Sequence, residues 1–160
     1  MEIIELSEHP CIFSHSNPWS IREHPRNIGN SLIKHCAEKG GVIGCNTWSE
    51  FVAETAGGRH PTLKDWVACV DYAVDLVGAD HVAIGTDVCG YPNGELWWSY
   101  ADKMKTNLPF GKHEVEGISH GHSNFPLLVA ALVQRGYHEG DIVKIMGGNW
   151  LRVFGQVWGS

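Results

Sequence analysis

The chain has 160 residues, the length of one ordinary domain, and 43% of them are hydrophobic, which is enough to form a core. Its formal net charge of -6 and the lack of a lysine or arginine cluster argue against a nucleic-acid surface, because phosphate binding needs clustered cations. No apolar run reaches the roughly 20 residues of a membrane span. The N-terminus is acidic and unlike a signal peptide, so we favour a cytoplasmic location. The charge favours a small or neutral partner.

Short apolar strands and amphipathic helices alternate in the first part of the chain. Residues 1–7 have the pattern of a helix end. The stretch CIFSH, residues 11–15, is a short apolar run bounded by turn formers, which is typical of a buried parallel strand. Helical spacing of apolar residues predicts a helix within residues 27–40, ending at a glycine pair. Residues 41–46, GVIGCN, are the second predicted strand.

The same alternation continues to the C-terminus. Residues 60–78 have apolar side chains at helical spacing and end in glycine, and HVAIGTD, residues 81–87, is the third predicted strand. Residues 88–119 show little periodicity, and a segment of that length in a compact chain is expected to be functional or a lid. A helix is predicted within residues 123–136, and one or two short helices within 138–158.

This order of elements indicates an α/β fold with a parallel sheet. Reactive groups in such folds lie at the carboxyl ends of the strands, which here are His15, Asn46 and Asp87. Three strands are few, since a closed (β/α)8 barrel needs about 250 residues. We therefore expect an open sheet with unpaired edges near CIFSH and HVAIGTD, which is an aggregation risk unless another chain covers them.

Three side chains near the predicted strand ends are candidates for chemistry, each with a structural alternative. His15 is positioned for metal ligation or acid–base work, or is a hydrogen-bonded loop histidine. Asp87 directly follows an apolar strand, where a carboxylate either lies beside a metal or caps a turn. Arg26 either binds a substrate carboxylate or is an ordinary surface arginine.

Other motifs carry less weight. His120 and His122 form a His-x-His pair like those that ligate metals, but they lead into a helix, which favours loop or capping roles. The five cysteines form no CxxC pair and are odd in number, so we expect neither a disulfide framework nor a thiolate zinc site. No HExxH, GxSxG, P-loop or GxGxxG motif occurs.

Four stretches together resemble a known family: PCIFSHSNPWSIREHPRN, GGVIGCNTW, VGADHVAIGTDVCG and EGISHGHSNFPLLVAALVQRGYHEGDIVKIMGGNWLRVF. They are similar to the membrane (renal-type) dipeptidases, a zinc-dependent family of (β/α)8 barrels related to the amidohydrolases. The resemblance covers nearly the whole chain. It implies a partial (β/α)8 TIM-like barrel of roughly the last three strand-helix units plus C-terminal helices. Residues 1–160 would then be the C-terminal part of one barrel domain.

The resemblance also implies roles for particular residues. The histidine of SHS, His15, matches a ligand of one zinc ion in a two-zinc centre. The arginine before Asn27, Arg26, matches the residue that holds the C-terminal carboxylate of the dipeptide, and Phe51 lies near an aromatic that contacts the same carboxylate. Because Phe51 has no hydroxyl, where relatives can have tyrosine, that contact is in doubt. Asp87 matches the residue that moves protons beside the metal-bound water.

The main departure from the family is that most zinc ligands are absent. The first strand of the family supplies a His-x-Asp pair, and no such pair occurs in these 160 residues. We therefore expect zinc-dependent dipeptide hydrolysis from a complete enzyme, with this chain inactive alone and partnered by a missing N-terminal half or by a homo-oligomer. The alternatives are a non-catalytic, degenerate barrel fragment that acts as a binding or assembly module, and an amidohydrolase-like enzyme with another substrate.

Overall fold

A computed structural model describes residues 2–55, 59–87, 115–118 and 121–159 of the chain. Within these residues, short strands alternate with helices in the order α1, β1, α2, β2, α3, α4, β3, α5, α6, α7. Their bounds are Glu2–Leu6 (α1), Ile12–Phe13 (β1), Asn30–Glu38 (α2), Val42–Cys45 (β2), Ser49–Val52 (α3), Leu63–Val77 (α4), Val82–Ile84 (β3), Phe125–Arg135 (α5), Glu139–Val143 (α6) and Asn149–Trp158 (α7). No helix among the described residues is both long and apolar enough to cross a bilayer.

The three strands form one parallel sheet in the order β1-β2-β3. Ile12 pairs with Val42 at one side of β2, and Ile43 pairs with Val82 at the other. Helices α2 and α4 are the crossover connections that parallel strands require. The predicted α/β class with a parallel sheet is therefore confirmed, and the carboxyl ends of all three strands meet at one edge of the sheet.

Helices cover both faces of this sheet. Because side chains alternate along a strand, neighbouring residues of β2 face opposite sides. Ile43 packs in a cluster with α2, and Cys45 packs in a cluster with α4 and α5. Val42 and Ala83 instead pack against Val153 of α7. The sheet thus lies between α2, α4 and α5 on one side and α7 on the other.

Helix α7 also covers the outer edge of β3. The side-chain amide of Asn149 donates to the carbonyl of Val82 at 2.8 Å, and the indole N–H of Trp150 donates to the carbonyl of Ile84 at 2.8 Å. Carbonyls two residues apart point to the same side of a strand, so both bonds lie on the edge that β2 does not use. Strand β3 has no strand partner at this edge among the described residues, as expected for HVAIGTD, but helix α7 supplies donors to these two carbonyls.

The helix predictions agree with the structure in most places. Helix α4 ends at Gly78 and α5 follows a short 3-10 turn, Gly121–Asn124, as the turn signals indicated. The short helix α3 was not predicted, because four residues are too few for a periodic pattern. The predicted lid or functional segment, residues 88–119, lies outside the described residues except for 115–118.

The start of α4 yields a stability prediction. Thr62 and Asp65 form a capping box, in which the Asp65 carboxylate accepts a 2.8 Å hydrogen bond from the Thr62 backbone. Partial burial acts to raise the pKa of Asp65, but hydrogen bonds from Thr62 and Arg59 outweigh it, so the pKa lies below its usual value. A carboxyl whose pKa is lowered on folding stabilises the protein above its unfolded pKa of about 3.9, and this contribution is lost as the pH falls through the folded pKa.

We expect Asp65→Asn to lower the free energy of unfolding by about 1 kcal/mol at pH 7, because the capping carboxylate is lost. The gap between variant and wild type should shrink as the pH falls below about 4, where the wild-type carboxyl becomes protonated. Urea unfolding of both proteins across this pH range measures the difference. Equal stability at pH 7 would show that the capping box contributes nothing.

Candidate active site

The site begins where the three strands end. Ser14 and His15 follow β1, and the Ser14 carbonyl lies against the backbone of Gly44 in β2 and of Gly85, the residue after β3. A Cβ atom at Gly44 would lie 2.3 Å from the Ser14 oxygen, and one at Gly85 would lie 2.1 Å from it. Both positions must therefore be glycine if the end of β1 is to keep this place, and with it the side chain of His15.

The imidazole of His15 contacts a polar group at each ring nitrogen. Nε2 lies 2.9 Å from Nη2 of Arg26, and Nδ1 lies 2.7 Å from Oγ of Ser14. A guanidinium nitrogen can donate a hydrogen bond but cannot accept one, so Nε2 must be the acceptor. The single ring proton of the neutral imidazole is then on Nδ1 and is donated to Ser14. For a neutral imidazole, the two contacts thus select the tautomer that carries its proton on Nδ1.

Arg26 joins His15 to the aromatic residue predicted from the family pattern. Its guanidinium carbon lies 5.6 Å from the centroid of the Phe51 ring, within the range of a cation–π contact. Its backbone N–H donates to Nδ1 of His24 at 3.2 Å, which braces the loop. His15, Arg26 and Phe51 were predicted separately, and the structure brings all three together. Their roles stay predictions.

Two aromatic neighbours that the sequence analysis missed extend this cluster. The ring centroid of His24 lies 4.6 Å from that of Phe51. The ring of Trp48 is stacked on the other ring of this pair, Phe51, with a centroid distance of 6.1 Å. The one sequence signal that could have identified His24 as part of the cluster was its position two residues before Arg26. The exposed Arg26 guanidinium therefore lies over a ring that is itself flanked by His24 and Trp48.

Buried asparagines hold the two loops of this cluster in place. The amide of Asn17 donates to the carbonyls of Asn46 and Phe51 at 3.0 and 3.2 Å, and its oxygen accepts from the Asn46 backbone at 2.9 Å. Asn27 adds a 2.8 Å bond to the same Phe51 carbonyl. Asn17 and Asn46 are fully buried. Turn-forming composition predicted a loop here, but no sequence signal showed that these amides point inward.

Asp87 lies at the same edge of the sheet but on β3, with β2 between it and His15. The ends of β1 and β3 nevertheless come close, because the Ser14 carbonyl lies against the backbone of Gly85, two residues before Asp87. The backbone of Asp87 is left-handed, with φ of 60°. Thr47 secures the preceding residue by donating to the Thr86 carbonyl at 3.0 Å. A left-handed non-glycine residue is uncommon, and asparagine and aspartate tolerate it best.

The described residues do not by themselves fit a zinc ion. They contain no group of three or more His, Cys, Asp or Glu side chains that could hold a metal, whereas a catalytic zinc needs three protein ligands. Burial raises the pKa of Cys36 to about 11 and of Cys45 to about 12, so both remain thiols at neutral pH. His120 and the side chain of His122 lie outside the described residues. Of the residues that the family pattern assigns to zinc, the described part of the chain contains His15, whose Nε2 faces Arg26.

Comparisons with known proteins agree on one family. The sequence profile of "Membrane dipeptidase (Peptidase family M19)" matches residues 1–105 and 110–158. The dipeptidase ataJ of Aspergillus terreus is 33% identical over 98% of this chain. An amidohydrolase from Pseudomonas aeruginosa has 33% identity and a TM-score of 0.77 over 99% of this chain. A metallopeptidase from Rhodobacter sphaeroides, solved with a phosphinate mimic of the dipeptide L-Ala-D-Ala, has a TM-score of 0.77 and 23% identity over 98% of it.

These relatives are all longer than this chain. The match covers 33% of the Aspergillus dipeptidase, 49% of the Pseudomonas amidohydrolase and 39% of the Rhodobacter metallopeptidase. The chain thus spans half or less of the length of the proteins that it matches. The profile match extends over nearly all of its residues and includes the three strand ends and helix α7. The chain therefore belongs to the membrane dipeptidase family, peptidase family M19.

Proposed function

We propose that residues 1–160 form the C-terminal part of a zinc-dependent dipeptidase, in which the earlier strands of a (β/α)8 barrel come from outside these residues. The observation that carries the proposal is the cluster of His15, Arg26 and Phe51 at the carboxyl edge of the sheet. Family membership and the share of the relatives that the chain covers support it. Active sites of such barrels lie at this edge.

In this proposal Arg26 binds the C-terminal carboxylate of the substrate. Its guanidinium is exposed and fixed over an aromatic ring, and a planar fork of N–H donors matches the geometry of a carboxylate. A clamp for a free carboxylate beside the reacting bond favours dipeptides over long chains. The ligand of the Rhodobacter metallopeptidase is a mimic of a dipeptide, which is the class of substrate proposed for this chain.

Asp87 is the proposed proton carrier. It would take a proton from the attacking water and pass it to the amine that leaves when the peptide bond breaks. Asp87 lies at the end of β3, two residues after the glycine whose backbone lies against the Ser14 carbonyl, and so at the same edge of the sheet as His15. The uncommon backbone conformation of Asp87 supports a functional rather than an incidental position.

The proposed zinc centre draws most of its ligands from the other half. We propose two zinc ions in the complete enzyme, with His15 as one ligand through Nε2. The hydrogen bond from Nδ1 to Ser14 supports this role, because metal-binding histidines commonly donate their other ring proton to a neighbouring acceptor. With one such ligand, the described residues would not retain zinc.

Co-expression with the N-terminal half of the Pseudomonas amidohydrolase tests the proposal. We expect the assembled pair to hydrolyse dipeptides with a free C-terminal carboxylate and to cleave the corresponding dipeptide amides at least about 100-fold more slowly, since an unsatisfied charged site discriminates strongly. Arg26→Met should abolish this preference, whereas Arg135→Gln, at a surface ion pair on α5, should retain it. An assembled pair that hydrolyses neither substrate would favour the non-catalytic binding or assembly module.

A further inference from the structure

We propose that Asn46 contacts the substrate: its side-chain amide donates a hydrogen bond to the carbonyl oxygen of the peptide bond that is cleaved. The identity of the substrate is taken from the proposed function. Asn46 directly follows β2, the central strand of the sheet, between the strands that lead to His15 and Asp87. Its Nδ2 atom is a buried donor for which the described residues supply no acceptor.

The hydrogen bonds of Asn46 show which end of its amide lacks a protein partner. Oδ1 accepts from the backbone N–H of Trp48, and a backbone N–H can only donate, so the unpaired atom is the nitrogen. The backbone N–H and carbonyl of Asn46 are both bound to the side chain of Asn17, at 2.9 and 3.0 Å. Nδ2 is therefore the one polar atom of Asn46 without a partner among the described residues.

Other buried asparagines of the chain do not share this property. The amides of Asn17 and Asn149 each donate to two backbone carbonyls. A buried donor without an acceptor destabilises a fold, and such groups are rare outside sites where they serve a function. Asn46 has no exposed surface, so the acceptor that satisfies Nδ2 must be shielded from bulk water, as the carbonyl of a bound substrate is.

The backbone of β2 keeps its strand geometry through Asn46. The Gly44 carbonyl accepts from the Ser16 backbone at 2.8 Å, and both backbone groups of Asn46 point to the same side, toward Asn17 in the loop after β1. A strand residue turns its N–H and carbonyl to one side, and residues two apart turn theirs alike. The side chain of Asn46 therefore lies on the face of the sheet to which a side chain at Gly44 would point.

The strand ends converge on that face. A Cβ atom at Gly44 would lie 2.3 Å from the Ser14 carbonyl oxygen, and one at Gly85 would lie 2.1 Å from the same oxygen. Asn46 and Asp87 each follow one of these glycines by two residues. The Asn46 amide is thus placed beside the two strand ends that supply the proposed reacting groups.

This place suits the scissile carbonyl of a dipeptide. Thr47, the next residue, donates to the Thr86 carbonyl at 3.0 Å, which keeps the end of β2 beside the end of β3. A dipeptide whose carboxylate is bound by Arg26 and whose leaving amine receives a proton from Asp87 has its scissile carbonyl between these two groups. That oxygen only accepts hydrogen bonds, and it gains negative charge as the bond is attacked. A fixed amide donor stabilises this charge.

Asn46→Ser in the completed enzyme, co-expressed as above, tests the contact. Serine keeps an oxygen that can accept from the Trp48 N–H, but it has no donor at the position of Nδ2. We expect kcat for a dipeptide to fall by about 10²- to 10³-fold, the usual effect of removing one donor to a developing oxyanion, and KM to change far less.

The matched control is Asn149→Ser, the same change at a buried asparagine near the amino end of β3. Its amide donates to the Ala79 and Val82 carbonyls at 2.7 and 2.8 Å. In urea unfolding of the 160-residue chain, this control should raise the unfolding equilibrium constant by about tenfold or more, because two carbonyls lose their donor. Its kcat should stay within a few-fold of the wild type. Asn46→Ser should raise the unfolding constant by about threefold at most, since Nδ2 loses no protein acceptor.

Two inhibitors report which part of the substrate the amide contacts. A phosphinate dipeptide has an anionic tetrahedral centre in place of the scissile carbonyl, whereas the amino acid released from the C-terminal position has only the carboxylate end. In Asn46→Ser, the inhibition constant of the phosphinate should rise about as much as kcat falls, because transition-state mimics report the same interactions. The inhibition constant of the amino acid should stay within about twofold.

Three results would overturn the proposal. One is a kcat of Asn46→Ser within a few-fold of the wild type together with a stability loss as large as that of Asn149→Ser, as for an amide that binds only an internal water. The others are an equal fall of kcat in Asn149→Ser and equal rises of both inhibition constants. A wild-type pair that cleaves no dipeptide would instead remove the proposed function on which this contact rests.

Discussion

Asp87→Asn in the co-expressed, completed enzyme should lower kcat by about 10²- to 10⁴-fold, the usual contribution of a general acid–base residue. The amide is close in size to the carboxyl but cannot accept and return a proton. KM should change far less than kcat, because the proposed carboxylate clamp is Arg26, which belongs to the loop after β1. Steady-state kinetics with one dipeptide substrate measure both parameters.

The fold should tolerate this substitution. Asp87 has φ of 60°, and asparagine is among the residues that accept this left-handed conformation. A variant with a β-branched residue at this position would confound the test with backbone strain. Thermal unfolding of the wild type and Asp87→Asn should agree within about 0.5 kcal/mol, as is usual for substitutions away from the core. A kcat within a few-fold of the wild type would remove Asp87 from the proposed mechanism.

Asn17→Ala should lower the free energy of unfolding by about 2–4 kcal/mol. The substitution deletes the partner of the Asn46 backbone N–H and one partner of the Phe51 carbonyl, both of which face Asn17 through bonds of 2.9 to 3.2 Å. Leaving buried polar groups unsatisfied costs about 1–3 kcal/mol each. Because Asn17 is fully buried, water is not at hand to replace the lost bonds without rearrangement. Urea unfolding measures the loss.

A second asparagine provides the control. Asn30 is only partly buried; its side chain donates a 2.8 Å hydrogen bond to the Tyr72 hydroxyl and accepts a longer one, of 3.3 Å, from the Ser20 hydroxyl. Asn30→Ala should therefore cost about 0.5–1.5 kcal/mol. Equal losses in the two variants would mean that the hydrogen bonds of buried Asn17 contribute no more to the free energy of unfolding than those of partly buried Asn30. The Asn17 variant should also loosen the position of Phe51 relative to Arg26, which the Arg26 side-chain resonances would report.

The parts of the fold that were predictable are those encoded by local periodicity. Helix α4 has its apolar residues at helical spacing between a capping threonine and a terminal glycine, and its predicted extent agrees with the structure. The strands were predictable because each is a short apolar run between turn formers. Strand β1 is only two residues long, shorter than the predicted run of residues 11–15, so Ser14 and His15 follow the strand instead of ending it.

The parts that were not predictable depend on contacts between distant segments. Helix α7 has an amphipathic pattern, but the pattern does not say which layer it joins, and its cover over the edge of β3 was missed. The family pattern assigned His15 and Arg26 to different ligands, and it contained nothing to show that their side chains contact each other. Side-chain direction at the strand ends is set by the loops between them, which have no periodicity.

Zinc content and dipeptide hydrolysis of the purified 160-residue chain, measured without any partner, test most directly whether it carries only part of an active site. We expect less than one zinc ion per chain after dialysis and no hydrolysis, because one imidazole does not retain a catalytic zinc. Two tightly bound zinc ions per chain together with dipeptide hydrolysis would contradict the proposal that these residues carry only part of the site.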